Sequence, residues 1–196
     1  MSGIDFQDDK MHEECGVFGI YSHNDDVALN TYWGLYALQH RGQESCGIVA
    51  TDGTHMEGKK GMGLVADVFK GGVDGLEGHI AIGHVRYSTT GSSMEYNIQP
   101  LRVYFDGGNL ALAHNGNIVN SELLRRHLEN KGSLFQSTSD SEILAHLIKK
   151  ETRYHDRPRI YSIIDALNML EGAFAFLIMT ANRIYACRDK YGLRPL

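Results

Sequence analysis

The chain has 196 residues, 42% of them hydrophobic and 22% charged, which is length enough for one domain with a real core. Nineteen basic against 24 acidic residues give a net charge of −5 with no long basic run, which excludes phosphate-backbone binding as the main task. No apolar stretch reaches bilayer length, the acidic leader MSGIDFQDDKMHEE lacks the apolar segment of a secretory signal, and three scattered cysteines exclude a disulfide framework; a cytoplasmic protein fits.

Behind the leader, CGVFGIY (15–21) reads as a short buried strand headed by Cys15. Two readings of Cys15 stand here: a small core hydrophobe, free cysteine being among the most buried residue types, or a nucleophile. A helix is predicted over 25–40, with Asn24 as N-cap, Ala28, Tyr32, Leu35 and Tyr36 along one side, and a stop at Gly42. CGIVAT (46–51) is the next strand. GMGLVA (61–66) loosely matches a G-x-G-x-x-A turn, but the preceding GKK is a poor strand and no acid stands at the right later distance, so it reads as a loop.

HIAIGHV (79–85) and NLALAH (109–114) are apolar strands. A helix over 120–131 buries Leu124 and Leu128 and ends before Gly132. Ser139 and Glu142 form an S-x-x-E capping box ahead of Ile143, Leu144, Leu147 and Ile148. A further helix lies around 160–170, and FAFLIMT (174–180) pairs with RIYACR (183–188) through a tight turn at Ala181 and Asn182. Strand groups separated by helix pairs predict antiparallel sheets covered by helices, an α+β fold without doubly wound alternation. Ten histidines form no convincing metal-ligand set; His79 and His84 flank a strand.

Polar residues collect where these strands end: Arg86-Tyr87-Ser88-Thr89-Thr90-Gly91, then Asn115-Gly116-Asn117, with Asp140 opening a helix. These read as loop positions on a rigid scaffold. Asn115 and the backbone N–H of Gly116 suit a developing oxyanion, Arg86 and Thr89 a carboxylate, and Asp140 an ammonium group. The set describes an amino acid with a reactive carbonyl. Each residue also has a plainer reading: H-N-G-N is a common turn composition, Asp140 favours a helix dipole, and Arg86 can serve as an ion-pair partner.

Read together, ECGVFGI, LQHRGQES, GHVRYSTTG, AHNGNIVN and SDSEILAHL resemble the class II glutamine amidotransferases, members of the N-terminal nucleophile (Ntn) hydrolase superfamily. With RDKYGLRPL, they are most similar to the glutaminase half of the amidophosphoribosyltransferases, and the likeness runs from Cys15 to Leu196. It implies a four-layer α/β/β/α sandwich of two antiparallel sheets. It also implies that residues 1–14 are a propeptide, that 15–196 are the glutaminase domain, and that a C-terminal phosphoribosyltransferase domain is absent from this chain. Cys15 becomes the nucleophile with its own α-amine as base, and Asn115 and Gly116 the oxyanion hole. Arg86 and Thr89 hold the glutamine carboxylate, Asp140 its amine, Arg41 organises the pocket, and Tyr87 belongs to a covering loop.

The implied activity is hydrolysis of glutamine to glutamate and ammonia through a γ-glutamyl thioester. In a full-length protein the ammonia forms 5-phosphoribosylamine from phosphoribosyl pyrophosphate (PRPP), the first step of purine synthesis. The implied partners are glutamine and, at full length, PRPP and further copies of the chain, without nucleic acid or membrane. No metal or cofactor is implied for this chain; full-length relatives use Mg2+ with PRPP and often carry a 4Fe–4S cluster with ligands beyond residue 196. The alternatives are the glutaminase domain of another class II amidotransferase, of the glucosamine-6-phosphate synthase, asparagine synthetase or glutamate synthase type, and a non-catalytic amino-acid-binding lobe.

Overall fold

The computed structural model describes residues 15–87, 94–104, 108–154 and 158–196. Among these residues, eight strands and five α-helices run in chain order: β1 (Gly16–Tyr21), α1 (Val27–Ala37), β2 (Ser45–Thr51), β3 (Met56–Met62), α2 (Val65–Val68) and β4 (Ile80–Arg86). They continue with β5 (Leu101–Val103), β6 (Leu110–Ile118), α3 (Ser121–Glu129), α4 (Ser141–Tyr154), α5 (Arg159–Asn168), β7 (Gly172–Met179) and β8 (Ile184–Arg188).

The strands form two four-stranded antiparallel sheets, ordered β1-β4-β2-β3 and β5-β6-β7-β8. Three apolar cores separate four layers. Val27, Ala28 and Leu35 of α1 meet Ile48 and Val85 on the outer face of the first sheet. Val49, Ile80 and Ile82 face Ala111, Ala113 and Leu177 between the sheets, with Val17 at the margin. Leu112, Phe176 and Ile178 meet Ile143, Leu147 and Ile163 on the outer face of the second sheet. Strand alternation decides which side chain enters which core. The α/β/β/α sandwich is therefore present.

Several local expectations need correction. Helix α1 starts at Val27 with Asp26 as its cap, not Asn24: the Asp26 carboxylate accepts from Leu29 N at 2.9 Å. The capping box before α4 does not close. Ser139 Oγ accepts from Ser141 N, while Glu142 turns back to accept from Gln136 N and Ser137 N, both at 2.8 Å. The segment MEGKKGM is strand β3, so residues 61 and 62 of the glycine-rich stretch are strand rather than loop. Most importantly, Asn115, Gly116 and Asn117 do not form a turn. They continue β6, paired with Ala175, Phe174 and Ala173. Gly116 permits this: its φ is +138°, and a Cβ there would lie 2.1 Å from the Ala173 carbonyl oxygen.

Candidate active site

Cys15 stands at the head of β1, two residues before Val17 of the inter-sheet core, with φ +69°. Its backbone is held from both sides. Cys15 N donates to Arg41 O at 3.0 Å, and Arg41 Nε donates to Cys15 O at 2.8 Å. Cys15 Sγ lies 4.0 Å from Tyr87 O. The Arg41 turn is itself braced, because Gln39 donates to Gly42 O and accepts from Val65 N. Gly42 packs so closely on the Arg86 backbone that a Cβ would sit 2.5 Å from its carbonyl carbon. The LQHRGQES segment thus folds against the end of β4 because a glycine stands there.

Cys15 is half-buried, whereas burial pushes the Cys46 thiol up to about 12 and the Cys187 thiol to about 11. A carboxylate, Asp67, adds to the shift at Cys46. Both thiols are poor nucleophiles, since the thiolate is the reactive form.

Arg86 closes β4, with its Nε 3.7 Å from Glu44 Oε2. Tyr87 is exposed. Thr89 lies outside the described residues. On the facing sheet, Asn115 is 2% exposed and its Oδ1 has no hydrogen-bond partner among the described residues. That orphaned oxygen marks a place where a donor is wanted. Asp140 accepts from Ile118 N at 3.0 Å and from Ser141 Oγ at 3.4 Å, and lies 3.5 Å from His114 Nδ1. Burial alone raises the pKa of Asp140, but the His114 imidazole and these hydrogen bonds outweigh it and hold the carboxyl below its ordinary value.

The structure therefore gathers the candidate residues into two groups. Cys15, Arg41, Tyr87 and Arg86 lie on the first sheet and its loops; Asn115, Gly116 and Asp140 lie along the end of β6. The two groups lie on elements that pack together, β1 and β4 against β6, with His84 of β4 bonded to the His114 carbonyl of β6. Two residues of this region escape a sequence reading. Glu44, partner of Arg86, is an acid in a polar loop, and His84 hides in an apolar strand, where a lone buried polar residue is the only signal.

A sequence model of the glutamine amidotransferase domain matches residues 84–196. The amidophosphoribosyltransferase of Bacillus subtilis is 50% identical over 188 residues, covering 95% of this chain and 39% of that protein. The amidophosphoribosyltransferase of Lacticaseibacillus casei is 45% identical over 188 residues, covering 95% of each. Among solved structures, the glutamine PRPP amidotransferase of B. subtilis complexed with ADP and GMP superposes with TM-score 0.83 at 49% identity, over 91% of this chain and 38% of that one. The chain spans about two-fifths of the length of the first of these relatives.

Proposed function

The chain belongs to the glutamine amidotransferase family, and from that premise we propose that it hydrolyses the side-chain amide of glutamine with Cys15 as nucleophile. The observation that carries this reading is the Cys15–Arg41 backbone clasp, which fixes a half-buried thiol at the head of a strand whose sheet packs on β6.

Cleavage between Glu14 and Cys15 would convert the Cys15 nitrogen into an amine. A free α-amine titrates near about 8 and a thiol near about 8.5, so the amine can take the thiol proton. Arg41 O, which already accepts from this nitrogen, would orient it. The thiolate attacks the amide carbon, and the oxyanion settles against the Asn115 amide and Gly116 N–H. The proton returns to the leaving ammonia, and water then hydrolyses the thioester to glutamate.

Arg86 and Thr89 hold the substrate carboxylate. Asp140, kept ionised, holds the substrate amine with the lone pairs that Ile118 and Ser141 leave open. Tyr87 covers the site. In a longer protein of the relatives' kind, the ammonia would pass to a phosphoribosyltransferase part that forms 5-phosphoribosylamine from PRPP.

The test is glutamate release from glutamine, measured beside the intact mass of the active protein. Activity is expected from chains beginning at Cys15 and none from Cys15→Ala. Full activity with Met1 attached would overturn the free-amine mechanism. Equal rates in parent and Cys15→Ala would overturn the nucleophile.

A further inference from the structure

Away from Cys15 and Asn115, a groove of about 890 Å³ opens where β3, the edge of one sheet, meets β5, the edge of the other. Its volume is that of a small-molecule site. None of Cys15, Arg41, Arg86, Asn115, Gly116 or Asp140 lines it. Its walls carry Lys60 from β3, Arg102 from β5, Lys131 after α3, and Lys149 and Lys150 from α4. The chain as a whole is acidic, at −5, so this concentration of positive charge runs against its composition.

The arrangement is also locally frustrated. Glu142 is the single carboxylate among the lining residues, and it is consumed by Gln136 N, Ser137 N and Ser137 Oγ, the last at 2.6 Å. Lys60 and Arg102 stand close enough that burial and then the guanidinium hold the lysine below its ordinary value. Lys150 is likewise lowered, by burial and then by the neighbouring Lys131. Two like-charge pairs, one on the strands β3 and β5 and one on the helical side, thus line a shared space. Lys60 spends one of its N–H groups on Ile98 O, and Arg102 is aimed by Met56 O, by the exposed Glu57 carboxylate at 3.4 Å and by the Tyr104 ring 5.7 Å away, which leaves most of its guanidinium donors unspent. The cations are positioned by the fold rather than simply scattered over it.

We infer that this groove is a binding site for a small, multiply charged anion of the phosphate class, held between Lys60 and Arg102 on one wall and Lys131 and Lys150 on the other. A divalent or higher anion answers both repelling pairs at once, through charge-assisted hydrogen bonds that a chloride ion cannot span. Phosphate oxygens match both the guanidinium fork and the lysine point charges.

The experiment is calorimetric titration of the full chain with pyrophosphate at low ionic strength, repeated with chloride at matched ionic strength. Saturable one-to-one binding of pyrophosphate is expected, with no saturable heat from chloride. Lys131→Glu combined with Lys150→Glu should weaken pyrophosphate at least tenfold. Lys70→Glu combined with Lys190→Glu changes exposed lysines elsewhere and alters net charge equally, and should bind as the parent does. Arg102→Gln supplies an independent variant with the same expected loss, and circular dichroism verifies that each protein is folded. Absence of saturable binding, or equal weakening by the two double variants, would overturn the site.

Discussion

His84 Nε2 lies 3.0 Å from the carbonyl oxygen of His114, a direct bond from the strand beside β1 to the strand that carries Asn115 and Gly116. His84 is 1% exposed, and burial drives its pKa down to about 3 despite the bond to His114, with the charges at His114 and Arg86 pushing the same way as burial. The ring is therefore neutral. Because a carbonyl only accepts, its proton sits on Nε2. Replacing His84 by Leu removes the donor and should lower kcat for glutamine hydrolysis with little change in KM. His84→Gln, which keeps an N–H at a similar reach, should recover most of the rate. Unfolding in urea should show His84→Leu destabilised by about 1–3 kcal/mol.

The same histidine predicts an acid limb of stability. Unfolded, it titrates at 6.5; folded, at about 3. Below pH 6.5 the unfolded chain binds the proton and the folded chain refuses it, so stability is full above that pH and is lost as pH falls towards 3. The loss over that window is on the order of 4 kcal/mol. Glu142, lowered from 4.5 to about 2 by His146 and its Ser137 and Gln136 hydrogen bonds against the opposing effect of burial, contributes only below pH 4.5. Denaturant midpoints between pH 6.5 and 4.5 should therefore fall less steeply in His84→Gln than in the parent.

Asn115 and Gly116 are neighbours with different sensitivities. Asn115→Ala should leave the fold intact and lower kcat by about 10²–10³, the effect of one lost oxyanion donor. Gly116→Ala drives a Cβ into the Ala173 carbonyl and should lower the melting temperature as well as the rate. Paired calorimetry and initial rates separate the two outcomes.

Two carboxylates two residues apart should also part company. Asp140 keeps lone pairs free for a substrate ammonium, so Asp140→Asn should raise the KM for glutamine at least tenfold. Glu142 is saturated by the 136–137 backbone, so Glu142→Gln should cost about 1–3 kcal/mol of stability with a smaller effect on KM.

Thiol reactivity offers a fifth check. Alkylation at neutral pH should mark Cys15 well ahead of Cys46 and Cys187, whose thiols are pushed to about 12 and about 11. Cys46→Ser and Cys187→Ser should retain glutaminase activity; selective labelling of either in preference to Cys15 would contradict the assignment.

Much of this molecule was legible before folding, and the exceptions share a cause. Apolar runs such as CGIVAT and FAFLIMT declare themselves because both faces of the strand are buried. Strand β3, MEGKKGM, does not, because it lies at a sheet edge, its glycines and lysines break any apolar alternation, and only its pairing with β2 makes it a strand. HNGN reads as a turn from composition alone. What makes it a strand is its ladder to Ala173, Phe174 and Ala175 of β7, far along the chain, with Gly116 leaving room for the Ala173 carbonyl. Asp26 rather than Asn24 caps α1 because only its carboxylate meets Leu29 N. Cys15, Asn115 and Asp140 could be proposed from motif and chemistry, but the His84–His114 bond across the sheets could not, since it depends on tertiary packing.

Cys15 holds φ at +69° in a residue that is not glycine, a conformation costing about 1–3 kcal/mol. Such a torsion exists only while a peptide bond precedes the residue. Scission before Cys15, as proposed above, would abolish the constraint itself, so the stored energy would be discharged into the cleaved state and would oppose religation. The proposed cleavage before Cys15 would be favoured by release of this strain. A Cys15→Gly precursor, unstrained at that angle, should lose that part of the drive along with the thiol, whereas Cys15→Ser keeps the torsional drive and carries a hydroxyl in place of the thiol.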